Sequence, residues 1–108
     1  MDKFRALADP TRRKIIELLA SNGELTASEI CEKFQVSPPA ISQHLKVLRE
    51  ARLVRMEKRA QQHIYQVNPS ALTEFEEWAQ RMAQLWNERF DSLEKLIEAE
   101  KESHRHSE

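Results

Sequence analysis

The apolar positions of this chain change period twice. Over the first half they recur every three or four residues, in short bursts between polar breaks. Phe4 and Leu7 stand at i, i+3 within residues 2–8, a short helical signal. After Asp9-Pro10-Thr11, Ile15, Ile16, Leu18 and Leu19 make one face of a helix running to about Ala20. Asp9 suits the N-cap and Pro10 the first helical position, where a backbone N–H has no partner in any case. Ser21-Asn22-Gly23 ends this helix, with Asn22 or Gly23 able to take a left-handed cap. Thr26 followed by Glu29 reads as a capping box, and Ile30 and Phe34 give the next helix about two turns. Gln35-Val36-Ser37 is a tight connection. Ser37 caps the following helix, with Pro38 and Pro39 in its first turn. Ile41, Leu45 and Leu48 form the buried stripe of that helix, about Ser37 to Ala51, and Ser42, Gln43, His44, Lys46 and Arg49 its other face.

The period then becomes two. Val54 and Met56, and the alternation of His63 to Val67, suit two strands of a hairpin around Arg59-Ala60-Gln61-Gln62. Beyond Asn68-Pro69-Ser70 the helical period returns. Leu72, Phe75, Trp78, Met82, Leu85, Trp86, Phe90, Leu93, Leu96 and Ile97 follow one another at three or four residues over most of its length. That stretch is about 39 Å of helix at about 1.5 Å per residue. The pattern predicts a mainly α fold with one β-hairpin and a long C-terminal helix. Residues 1–102 are expected to form one domain and 103–108 a flexible polar tail.

Composition removes whole classes of function. A chain of 108 residues has room for one domain or one domain with an extension. One Cys excludes an internal disulfide framework and fits a reducing, cytoplasmic compartment. No apolar run is long enough to span a membrane, and the N-terminus has no apolar signal core. One Gly excludes a Gly-rich phosphate loop. No Ser/His/Asp arrangement and no paired carboxylates in an evident cleft are present, so the expectation is a protein that is not an enzyme and needs no cofactor.

Charge sharpens the picture once it is divided by segment. The whole chain has a net charge of −1, which taken alone speaks against a nucleic-acid partner. Residues 37–67, however, carry six basic and two acidic groups, a net of +4, whereas residues 68–108 carry five basic and ten acidic groups, a net of −5. The positive charge therefore falls on the second short helix and the hairpin, where phosphate contacts need it. Two short helices joined by a tight turn form a helix-turn-helix unit, whose second helix enters the DNA major groove, and a basic hairpin after it is a wing.

At this point three stretches carry a resemblance. Ala6-Leu7-Ala8-Asp9-Pro10-Thr11-Arg12 with Ile15-Ile16-Glu17-Leu18-Leu19 resembles the opening of ArsR-type winged-helix regulators. So do Val36 to Ala51, with Ile41-Ser42-Gln43-His44-Leu45 at their centre, and the hairpin end Tyr65-Gln66-Val67-Asn68-Pro69. The resemblance covers roughly residues 4–97. It implies a homodimeric repressor that binds double-stranded DNA at an inverted repeat, in many members its own operator, and that releases it when an inducer binds. No inducer is identified from these residues. Metal-sensing members often carry a Cys-x-Cys pair where Thr26 and Ser28 stand here, or Asp and His pairs on the last helix, which has no His between Leu72 and Lys101. The resemblance is thus to the metal-independent branch, with no metal ligands. Members usually have Gly where Arg52 stands, so Arg52 is expected to meet left-handed backbone, and Gly is also common at the wing tip where Ala60 stands.

The candidate DNA contacts are Ser37, Pro38, Ala40, Ser42, Gln43, His44 and Lys46 on the recognition helix and Arg59, Gln61 and Gln62 on the wing. Arg12, Arg13 and Lys14 are either further phosphate contacts or a solvated face. The candidate dimer interface is Phe4 and Leu7 with Phe75, Trp78, Met82, Leu85, Trp86, Phe90 and Leu93, since an acidic helix of this length cannot cover its apolar stripe on a small head. Two rivals remain. One is a metal- or thiol-responsive repressor using Cys31, His104 and His106. The other is a protein–protein adaptor that has kept the fold and lost DNA binding.

Overall fold

A computed structural model describes residues 2–106, with side chains described through residue 102. The chain forms two units, Met1–Leu72 and Thr73–Glu108.

The first unit is a helical head with a small sheet. Helix α1, Lys3–Ala6, starts at Asp2, whose side chain accepts from the Arg5 amide at 2.9 Å. Helix α2, Pro10–Asn22, is capped by Asp9, which accepts from the Arg12 amide at 3.1 Å, and Pro10 stands where its missing N–H costs nothing. It closes at Gly23, φ 87°, whose amide donates to the Leu19 carbonyl at 2.8 Å. Strand β1 is only Leu25–Thr26. Helix α3, Ala27–Glu32, opens with the expected capping box: Thr26 Oγ1 accepts from the Glu29 amide at 3.1 Å and Glu29 Oε1 from the Thr26 amide at 3.0 Å. Helix α4, Pro38–Glu50, follows after five residues, its N-cap Ser37 accepting from the Ala40 amide at 3.3 Å. Strands β2, Val54–Arg59, and β3, Gln62–Val67, form the hairpin.

The sheet has the order β1-β3-β2 and is antiparallel throughout. Its third strand was not expected. Leu25 pairs with Tyr65 and Thr26 with Ile64, which anchors the base of the hairpin to the loop before α3. A two-residue strand has no periodicity to recognise, which is why Leu25 read only as an isolated apolar residue.

The core draws on every element of the head. Ala6, Ile15, Leu19, Ile30, Ile41, Leu45, Leu48, Leu53, Val54, Ile64 and Ala71 are all buried. Among the described residues no polar or charged side chain is buried, and no buried side-chain nitrogen or oxygen lacks a partner. Burying each of the larger aliphatic side chains contributes about 1.5–3 kcal/mol.

The junction between α4 and β2 is tightly closed. The Leu53 amide donates to the Leu48 carbonyl at 2.9 Å and the Arg52 amide to the Arg49 carbonyl at 3.0 Å. That pair of bonds is a Schellman cap, which requires a left-handed residue between helix and strand. Arg52 takes that conformation, φ 62°, as expected for a position where the family pattern has Gly, and Ala60 in the hairpin turn takes φ 56°. Asn68 locks the junction from the adjoining end of β3, where Val67 pairs with Val54. Its amide donates to the Leu53 carbonyl and its side chain to the Arg52 carbonyl, both at 2.9 Å.

The long helix begins in the first unit and forms the second from Thr73 on. Helix α5, Pro69–His106, contains 38 residues, about 57 Å at about 1.5 Å per residue. It is entered through Asn68, whose side-chain oxygen accepts from the Ser70 hydroxyl at 2.9 Å and amide at 3.3 Å. Met82, Leu85, Trp86, Phe90, Leu93, Leu96 and Ile97 are exposed. They fall within a stripe about 140° wide on the helical wheel. Trp86 and Phe90 meet edge to face, ring centroids 5.0 Å apart. The expected tail, 103–108, lies outside the described side chains.

Candidate nucleic-acid interface

Helix α4 separates two chemistries by spacing alone. Ile41, Leu45 and Leu48 point into the core, and Ser42, Gln43, Lys46 and Arg49 are left in solvent. Ser37 and Pro38 at its start are exposed and Ala40 is half-buried. Ser37 is already engaged as the N-cap, so what it presents to a ligand is the helix start rather than an unengaged hydroxyl. Gln43 carries the amide that pairs through two bonds with adenine, and Lys46 the compact cation that suits a phosphate.

His44 has a different setting. It is half-buried, and its Nδ1 lies 3.4 Å from Nη1 of Arg12. Arg12 also donates through Nε to the Ala6 carbonyl at 2.6 Å, and Arg13 through Nη1 to the Leu7 carbonyl at 3.1 Å. Both arginines therefore hold the last turn of α1. This third role was not among the readings of the basic cluster, because nothing in local spacing marks a carbonyl six residues back as a partner. The Arg12 amide, with the charges of His44 and Arg12 nearby, holds the Asp9 carboxyl below its ordinary value.

The wing is less basic than its composition. Lys58 and Arg55 are exposed, but Arg59 is taken up by carboxylates. Its Nη1 and Nη2 donate to the two oxygens of Glu24 at 2.9 and 3.1 Å, and its Nε to Glu57 at 2.8 Å. Gln66 donates to Glu24 from β3 at 2.9 Å. These bonds hold the Glu24 carboxyl below its ordinary value, Arg59 contributing most, and raise that of Arg59. Gln61 and Gln62 are exposed at the hairpin turn. With His63 and Thr26 to Ser28 they line an open groove of about 250 Å³.

For metal chemistry, Thr26 has its hydroxyl in the capping box and Cys31 is half-buried within α3. Among the described residues no three His, Cys, Asp or Glu side chains gather into a possible metal site. His104 and His106 lie outside the described side chains.

A short helix, a tight turn, a helix with a polar outer face and a three-stranded sheet ending in a hairpin define a winged helix-turn-helix protein. Comparison with known proteins agrees. Residues 9–56 match the family model described as bacterial regulatory protein, arsR family. The chain is 39% identical over 97 residues to the HTH-type transcriptional regulator Rv2034 of Mycobacterium tuberculosis, covering 90% of this chain and 87% of that protein. It is 40% identical over 75 residues to the transcriptional repressor SdpR of Bacillus subtilis, covering 69% of this chain and 82% of that one. Among solved structures, an ArsR-like transcriptional regulator from Rhodococcus sp. RHA1 superposes with a TM-score of 0.79 at 27% identity, over 89% of this chain and 87% of that one. The chain belongs to the ArsR family of transcriptional regulators.

Proposed function

We propose that this protein is a cytoplasmic, homodimeric repressor that binds an inverted-repeat operator in double-stranded DNA, with no metal or other cofactor. The observation that carries the reading is the split of α4, a buried apolar stripe under an exposed face of Ser42, Gln43 and Lys46. Two such helices, one from each subunit, would enter successive major grooves about 34 Å apart. The wing would lie beside them, with Gln61 and Gln62 at its turn. The name of SdpR, a repressor, supports repression as the output. The apolar stripe of α5 supports the dimer: Leu85 and Trp86 are each 59% exposed, on an acidic helix that DNA would repel. Phe4 of α1 and Leu7 just after it would meet the partner's copy of that segment, and Phe75 and Trp78 belong to the start of the α5 stripe. No helix of the described residues is long and apolar enough to cross a membrane.

A gel-shift titration against the DNA upstream of its own coding sequence tests this. Binding is expected at low salt, where phosphate contacts are strongest, with an unrelated duplex competing poorly. Failure to bind at low salt would leave the adaptor reading standing instead.

A further inference from the structure

The wing cation and the carboxylate opposite it form a contact that the proposed DNA interface does not use. Arg59 offers phosphate the same planar fork that it offers Glu24: Nη1 and Nη2 donating in parallel to two oxygens, here at 2.9 and 3.1 Å. Its remaining edge is closed by Glu57 at 2.8 Å. One cation thus meets two carboxylates, and the cluster has a net negative charge. Gln66, reaching from β3 to Glu24 at 2.9 Å, holds the carboxylate in place from a second strand. The pair is nonetheless exposed, the side chains 50% and 42% accessible, so it can exchange partners without any movement of the core.

We propose that Glu24 sets the strength of the wing's grip on DNA, by competing with backbone phosphate for Arg59. The proposal rests on the reading of α4 and the wing as a DNA interface. While the ion pair holds, Arg59 displaces no counterion from DNA. When a phosphate takes Arg59, the Glu24 carboxylate is left beside the duplex and opposes the gain. Glu24 is a positioning residue in this scheme. It lies outside the helix-turn-helix and shares no strand with Arg59, which is why neither motif nor charge count points to it.

The test uses the full chain and a mixed-sequence duplex of about 30 base pairs, since phosphate contacts do not depend on sequence. Affinity is measured by fluorescence anisotropy between about 50 and 200 mM salt. Glu24→Gln should bind about threefold more tightly at the low end, with a salt dependence steeper by close to one power, the change expected for one added phosphate contact. Gln66→Ala should move both quantities the same way by less. Arg59→Ala should not tighten binding in the wild type, and should abolish most of the gain in the Glu24→Gln background. A gain of equal size with and without Arg59 would overturn the proposal, since it would come from removed charge alone; so would no gain in a Glu24→Gln protein whose melting curve is intact. If the wild type binds no duplex even at low salt, the DNA interface itself falls. If it binds and the coupling is absent, only the role of Glu24 falls.

Discussion

Arg12 joins three helices: it stands in the first turn of α2, its Nε donates to the Ala6 carbonyl at the end of α1 at 2.6 Å, and its Nη1 lies 3.4 Å from Nδ1 of His44 on α4. The helix proposed to enter the groove is thus tied to the first helix of the chain by a polar side chain as well as by the core. Arg12→Ala should lower the unfolding free energy by about 1.5–3 kcal/mol in urea titrations, the range for a charge-assisted hydrogen bond. Arg12→Lys should recover little, having no planar fork to reach both the Ala6 carbonyl and His44. An unchanged midpoint for Arg12→Ala would show that the junction contributes nothing.

Asp9 caps the same helix as a charged group. Its folded value lies below the ordinary 3.8, so its stabilisation is complete above the unfolded value and is lost as pH falls through the folded one. Asp9→Ala should cost about 1 kcal/mol near neutral pH. Asp9→Asn keeps a good cap without a titrating group. The gap between wild type and Asp9→Asn should therefore close as melts are taken down toward about pH 2, and a gap that stays constant contradicts the assignment.

The left-handed residues make a prediction of opposite sign. Arg52 and Ala60 stand at φ 62° and 56°, where a Cβ costs about 1–2 kcal/mol. Replacement by Gly removes that strain but adds about 0.4–1 kcal/mol of unfolded-state entropy. The strain is the larger effect, so Arg52→Gly and Ala60→Gly should each raise the melting temperature by a few degrees. A lower melting temperature in Ala60→Gly, whose side chain is exposed, would show that the turn is not strained.

Gln43 and Lys46 are neighbours on one exposed face with different expected signatures. Gln43→Ala should lose preference among operator variants, at about 1–3 kcal/mol for the base pair it reads. Lys46→Ala should weaken all duplexes alike and make the salt dependence shallower by close to one power. Equal losses on every sequence in both variants would mean that Gln43 does not read bases.

The stripe on α5 is tested by charge. Trp86→Glu places a carboxylate beside Phe90, whose ring now meets Trp86 at 5.0 Å. In sedimentation the variant should run as a monomer, with operator affinity reduced at least tenfold through loss of the paired half-site. A wild type that is itself monomeric at micromolar concentration would refute the dimer.

Much of this architecture is written in local chemistry. Asp9, Thr26, Glu29 and Ser37 mark helix starts because each cap acts within three residues of itself, and Ile41, Leu45 and Leu48 mark a buried face because helical spacing repeats. The strain at Arg52 was legible only against a family pattern with Gly at that place, and the left-handed backbone at Ala60 emerged only with the fold. What stayed hidden depends on contacts far along the chain. Leu25 joins a strand whose partner, Tyr65, is supplied forty residues later. Arg59 reads as a phosphate ligand until the fold brings Glu24 to it. His44 reads as part of an outward face until Arg12 is found beside it.

The division of α4 has an evolutionary consequence. Ile41, Leu45 and Leu48 are buried and hold the helix, while Ser42, Gln43 and Lys46, proposed to meet DNA, are exposed. Scaffold and address are written in alternating letters of one thirteen-residue word. A duplicated copy could drift to a new operator by changing the exposed letters alone, its fold never at risk along the way.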